Sequence, residues 1–244
     1  MGCIGGFFSG FLGIGGGVVL IPLLIYWGGM EINNAATISM IFIVPASISG
    51  IICHKRLGNI IAYIGILMGI GSLIGSFSSA LFADMISEFI LQLIFLVVVL
   101  IAAFMLLFKD RVNTYTKKDV PIKKITTILI GLIQGTLTGM LGIGGGFIVV
   151  PLMIYFLAMP IHFAVGTSLV VIFFSANAGI IGKAAGLSLS FGSAWLVIVG
   201  AIPSAQLGGW VASKTKPYLL RYFFLILLVI IFISMLFDII KYYS

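Results

Sequence analysis

Charged positions in this chain fall in a few short places, and almost everything between them is apolar. Residues 1–30, 32–53, 57–83, 89–108, 125–182 and 184–213 contain no Asp, Glu, Lys or Arg. A membrane-spanning helix needs about 20 mostly apolar residues, so these runs predict an all-α, polytopic membrane protein. Because they are continuous rather than alternating, they exclude a β-barrel. About eight hydrophobic segments can be drawn, at 2–27, 34–53, 60–83, 89–108, 125–157, 161–182, 187–212 and 218–237. The fifth is too long for one plain helix, and the first is interrupted by glycines.

That interruption occurs twice. Gly13-Ile14-Gly15-Gly16-Gly17 lies in the first segment and Gly142-Ile143-Gly144-Gly145-Gly146 in the fifth, each followed by four apolar residues and a proline, Pro22 or Pro151. Glycine costs about 1 kcal/mol per residue relative to alanine inside a helix, so each cluster predicts a broken or re-entrant helix. In a membrane such a break is tolerated only where it is buried in protein or lines a watery cavity.

The clusters belong to a larger repeat. A shift of 129 residues overlays the chain on itself without a gap for about 80 positions, pairing Gly6 with Gly135, Pro22 with Pro151, Tyr26 with Tyr155, Ser39 with Ser168 and Gly71 with Gly200. Coincidence in Gly, Pro, Tyr and Ser together marks a duplication, a common transporter architecture. The expected organisation is therefore a first transmembrane repeat at 1–108, a basic cytoplasmic linker at 109–124 and a second repeat at 125–244, with four segments in each half.

Composition narrows the class. The chain is 61% hydrophobic and 8% charged, against about 25% charged in a soluble domain. Its net charge of +7 does not point to nucleic acid, because the basic residues sit at segment ends and in the linker, where the positive-inside rule places them. Two cysteines, Cys3 and Cys53, suggest neither a disulfide scaffold nor a metal site, and no cofactor motif is present. With eight full spans the repeats are parallel, and Lys/Arg divide 10 inside to 3 outside. With re-entrant glycine segments the halves are inverted. Lys214, Lys216 and Arg221 then move inside, only Lys183 and Lys241 stay outside, and the division is 11 to 2.

The candidate chemistry is anion binding. A helix that starts after Gly17 or Gly146 offers free backbone N–H groups and the positive end of its dipole, and glycines let a ligand approach that backbone. Gly13, Gly15, Gly16, Gly17, Gly142, Gly144, Gly145 and Gly146 are therefore candidate substrate-binding positions. The competing reading, close helix contact through small residues, weighs less for a five-residue cluster present in both halves. Ser39, Thr167 and Ser168 add neutral hydroxyl donors, which suit an oxyanion. Gln134 and Gln206 are further intramembrane polar groups. His54, Lys55 and Arg56 form a basic patch that, with Lys183 at the position equivalent to His54, reads as an interfacial anchor. No Asp or Glu lies in the middle of a span, which disfavours proton coupling through an intramembrane carboxylate and leaves no catalytic set for an intramembrane enzyme.

The stretches Gly10-Phe11-Leu12-Gly13-Ile14-Gly15-Gly16-Gly17 with Pro22, and Gly139-Met140-Leu141-Gly142-Ile143-Gly144-Gly145-Gly146 with Pro151, resemble the paired signature of the TauE/SafE sulfite-exporter permeases. Ala164-Val165-Gly166-Thr167-Ser168 and Ala35-Ala36-Thr37-Ile38-Ser39 resemble that family's alanine-to-threonine-serine segment, with the adjacent Thr-Ser pair intact only in the second half. The resemblance implies an integral plasma-membrane permease for small sulfur-containing anions such as sulfite, thiosulfate or organosulfonates. The expectation is thus a secondary exporter rather than an enzyme, embedded in the lipid bilayer, with homo-oligomerisation left open. The alternatives are a passive anion channel and a non-transporting membrane assembly subunit.

Overall fold

The structure is a computed structural model that describes residues 1–30, 32–108, 124–142, 144–184 and 194–243. The expected linker therefore lies outside the described residues, apart from Lys124. Among the described residues there are ten α-helices and no strand. They are α1 (Gly2–Leu12), α2 (Gly17–Tyr26), α3 (Ile32–Arg56), α4 (Ala62–Phe82), α5 (Glu88–Phe108), α6 (Lys124–Leu141), α7 (Gly146–Phe156), α8 (Ile161–Ala184), α9 (Ala194–Lys214) and α10 (Pro217–Tyr243). The first and fifth apolar segments each resolve into two helices, split at the glycines. Six of the helices, α3, α4, α5, α6, α8 and α10, are long and apolar enough to cross a membrane, whereas α1, α2 and α7 are too short.

Helix starts recur at the repeat spacing: Gly17 and Gly146, Ile32 and Ile161, Glu88 and Pro217 are each 129 residues apart. Packing recurs as well, with the halves exchanged. On the α1–α9 face, Gly2, Gly6 and Gly10 press against the backbones of Val197, Ala201 and Ala205. On the α6–α4 face, the equivalent Gly131, Gly135 and Gly139 press against Met68, Ser72 and Ser76. Each glycine presents backbone to backbone, the close approach that drives association where the surrounding lipid is as apolar as the side chains.

These contacts also fix directions. Residue numbers rise together along α1 and α9 and along α4 and α6, so both pairs are parallel. The Ser72 hydroxyl donates to the Val171 carbonyl (3.3 Å) and Ser76 to that of Ser175 (2.7 Å), so α4 and α8 are parallel. Ser49 donates to Ile202 (2.5 Å) and the Cys53 thiol to Gln206 (3.3 Å), so α3 runs with α9. In contrast, Gly50 lies against Leu169 and Gly179 against Met40, so the equivalent helices α3 and α8 are antiparallel. The two halves are therefore inverted. Because α1 runs parallel to α3, α2 must carry the chain back between them, and the α1–α2 pair is a re-entrant hairpin. The same holds for α6–α7 ahead of α8.

Burial is inside-out relative to a soluble protein. Ser39, Ser72, Ser76, Gln134, Thr138, Thr167, Ser168 and Ser175 are fully buried, while Ile226, Val229, Ile230, Ile233 and Phe237 line an exposed apolar face of α10. Apolar faces on this scale have no place in water and are met by lipid.

Candidate functional site

Each glycine cluster ends one helix and begins the next within four residues. Gly13 closes α1 in the left-handed conformation (φ 68°), its N–H donating to the Ser9 carbonyl at 2.9 Å. Gly142 closes α6 the same way (φ 71°), bonding to Thr138 at 2.8 Å. Left-handed backbone continues at Gly15, Gly16, Gly144 and Gly145. An L-residue pays about 1–2 kcal/mol for that conformation, which is why the reversals are written in glycine. Gly16 and Gly145 then serve as N-caps of α2 and α7, and neither makes a side-chain cap hydrogen bond. The first turn of each half-helix thus keeps donors and a positive dipole end that no capping side chain neutralises.

The two reversals meet. A Cβ on Gly146 would lie 2.5 Å from the Ile14 backbone. One on Gly15 would lie 3.4 Å from the Ile43 side chain, and one on Gly144 would lie 2.7 Å from that same side chain. Ile43 and its repeat equivalent Ile172, which also packs on Gly15, sit where the halves cross. Gly13, Gly15, Gly16, Gly17, Gly142, Gly144, Gly145 and Gly146 are all buried, so the convergence point is closed in this conformation.

The predicted hydroxyls divide. Ser168 lies against the first cluster and donates to the Gly13 carbonyl and to that of Val165, both at 2.7 Å. Thr167 faces the other way, its oxygen accepting the Ile61 N–H at 3.0 Å just ahead of α4, so it holds a helix entry rather than a glycine. Ser39, the repeat equivalent of Ser168, is fully buried and its hydroxyl has no partner.

The second cluster has a side-chain amide beside it that the first lacks. Around Gly145 stand Gln134 and Thr138, with a hydrogen bond of 2.6 Å from Gln134 Nε2 to Thr138 Oγ1. The same amide reaches the Gly144 carbonyl and Ser175 Oγ at 3.4 Å, while Gln134 Oε1 is buried without a partner. The repeat equivalents of Gln134, Thr138 and Ser175 are Gly5, Ser9 and Ala46. The signal for Thr138 was available in the helical spacing, since 134 and 138 share a face of α6, but only the fold brings that face against Gly145 and Ser175 of α8 beside it.

The basic patch is not uniform. Lys55 and Arg56 are exposed, as an anchor should be. His54 departs from the anchor reading, because it is buried and bonds through Nε2 to the Gly10 carbonyl at 2.9 Å, tying the end of α3 to α1. Lys183 also does more than an anchor would: its Nζ lies 3.5 Å from where a Cβ on Gly142 would sit.

Two oppositely directed halves, with half-helices meeting by their N-termini near the centre, define a multi-pass integral membrane protein of the transporter class. The chain belongs to the TauE/SafE family: the model described as sulfite exporter TauE/SafE matches residues 1–235. It is 30% identical over 216 residues to the probable membrane transporter protein YdhB of Bacillus subtilis (strain 168), covering 83% of this chain and 84% of that protein. It is 29% identical over 241 residues to the probable membrane transporter protein YjnA of the same organism, with 91% and 92% covered. It is 28% identical over 241 residues to the probable membrane transporter protein MJ0441 of Methanocaldococcus jannaschii, with 91% and 87% covered. No solved structure matches the chain.

Proposed function

We propose that this protein is a secondary transporter that exports small sulfur-containing anions (sulfite, thiosulfate or organosulfonates) across the plasma membrane, and that the anion binds where the two glycine clusters meet. The observation that carries this reading is the convergence of two half-helix N-termini without side-chain caps. Each helix N-terminus carries roughly half a positive elementary charge. Two of them together complement one monoanion with no ionised side chain to desolvate. The N–H groups that follow Gly15, Gly16, Gly17 and Gly144, Gly145, Gly146 are the proposed backbone donors, with Gly13 and Gly142 shaping the reversals. Ser39 is the free hydroxyl donor, Ser168 holds Gly13 in place, and Thr167 positions α4 beside them. Gln134 Oε1, an unpartnered acceptor, favours those members of the set that carry a donor, such as hydrogensulfite or an amino-substituted sulfonate, over thiosulfate.

Helix direction and the positive-inside rule support one orientation. The inverted arrangement puts 11 of the 13 Lys/Arg inside, with the linker and the end of α3 in the cytoplasm. An anion leaving a negative interior gains about 2.3 kcal/mol per charge per 100 mV, so export needs no coupling ion.

The test is efflux of sulfite or thiosulfate from loaded proteoliposomes under an imposed potassium diffusion potential. Saturable efflux that rises when the lumen is made negative is expected, weakened by Ser39→Ala and by Gly145→Leu. Efflux no faster than from protein-free liposomes for every anion in the set would refute the assignment.

A further inference from the structure

A cavity of about 360 Å³ opens between α2, α5 and α10, with the ends of α6 and α8 closing it where Leu141 and Lys183 flank Gly142. Its walls are mostly apolar, with Val18 and Phe95 at the inner end, and Ile230, Ile231 and Met235 along α10. Lys183 supplies the positive charge, and no acidic residue lines it among the described residues. Tyr26 and Ile230 line it while remaining 58% exposed, so it opens on the apolar outer face of the bundle.

Inverted repeats provide an internal control. Side chains occupy the equivalent space between α7, α10 and α5. Val18 corresponds to Phe147, which is fully buried and packs edge-on against Phe95 at 4.9 Å. Gln92 corresponds to Arg221, whose guanidinium donates to the Leu106 and Leu107 carbonyls. Lys183 corresponds to the buried His54. The chain thus fills one of two equivalent sites with its own side chains and leaves the other open, apolar and headed by a lysine.

We infer that this cavity holds an acyl chain of an anionic membrane lipid, with Lys183 as the contact for its charged head group. A void this large facing hydrocarbon is filled by hydrocarbon, because an empty apolar gap forfeits dispersion contacts along its whole lining. Lys183 lies in the last turn of α8, at the level where lysine stems run along apolar surface and present the ammonium to head groups. An ammonium has three donors, so a protein partner does not prevent it from also meeting a phosphate. This inference does not depend on the transport reading.

The test is native mass spectrometry of the intact protein taken from equimolar phosphatidylglycerol and phosphatidylcholine of identical chains. Retention of phosphatidylglycerol over phosphatidylcholine by about fivefold is expected, the ratio one interfacial lysine confers. Lys183→Gln should abolish the preference while leaving chain retention in place. Val18→Phe, which copies the residue at the filled site, should remove retention of both lipids. Equal retention of the two lipids by the unaltered protein would overturn the head-group contact. Unchanged retention in Val18→Phe would overturn the cavity as the chain's place. Retention of decanesulfonate added as a competitor, with no phosphatidylglycerol retained, would replace the lipid with a free amphiphile.

Discussion

Two glycines that share a positive φ but have opposite surroundings allow the break geometry to be tested. Gly58, in the turn after α3, has φ 74° and nothing within 4 Å of a Cβ placed on it. Gly145 has φ 58°, and a Cβ there would run into Thr138 Oγ1 and come within 2.6 Å of Gln134 Nε2. Alanine at Gly58 therefore pays only left-handed strain, about 1–2 kcal/mol. Alanine at Gly145 pays that strain and must also displace a hydrogen-bonded pair in a closed core, where overpacking costs about 1–3 kcal/mol more. For a chain of this size 1 kcal/mol moves the midpoint by about 2–4 °C, so Gly145→Ala should melt about 2–12 °C below Gly58→Ala. Thermal unfolding in detergent, followed by tryptophan fluorescence, measures the difference. Thr138→Ala in the Gly145→Ala background removes the clashing oxygen and should recover part of the loss. If Gly145→Ala melts no lower than Gly58→Ala, α6 is not seated on the second break as described, and the polar lining assigned to it fails.

Other outcomes follow from the same geometry. Ser168→Ala strips the Gly13 carbonyl of its donor in a buried setting and should cost about 1–3 kcal/mol, whereas Ser39→Ala removes a buried hydroxyl that has no partner, loses no hydrogen bond and should not lower the melting temperature while raising the KM for the proposed anion; thermal melts and proteoliposome kinetics separate the two. Arg221→Gln, which copies its counterpart Gln92, frees two carbonyls at the end of α5 and should lose about 1.5–3 kcal/mol in the same melting assay. In a background without Cys3 and Cys53, Lys214→Cys should react with an impermeant maleimide only from the cytoplasmic side; labelling from outside would contradict the inverted arrangement.

Much of this was legible in the chain itself. Charge-free runs determined the class, because a bilayer core admits few charges and leaves no route for unpaired backbone except helix or closed barrel. The 129-residue offset reads the chain as two related halves, and the glycine clusters marked where the helices break, because glycine adopts left-handed backbone without a Cβ penalty. The relative direction of the halves was not legible. Lys/Arg counts of 10 to 3 and 11 to 2 favour both topologies, and it took the antiparallel contact of Gly50 with Leu169 and Gly179 with Met40 to separate them. Side-chain roles were equally hidden. Ser39 and Ser168 hold equivalent positions in the sequence, yet one hydroxyl is spent on Gly13 and the other is free. His54 and Lys183 are equivalent too, yet one is buried and the other heads a cavity. A duplicated sequence specifies two similar units, but what each side chain touches depends on the other half. Here the other half differs at Val18 and Phe147, at Gly5 and Gln134, and at Gln92 and Arg221, and those differences in volume and hydrogen bonding act only once the helices are packed.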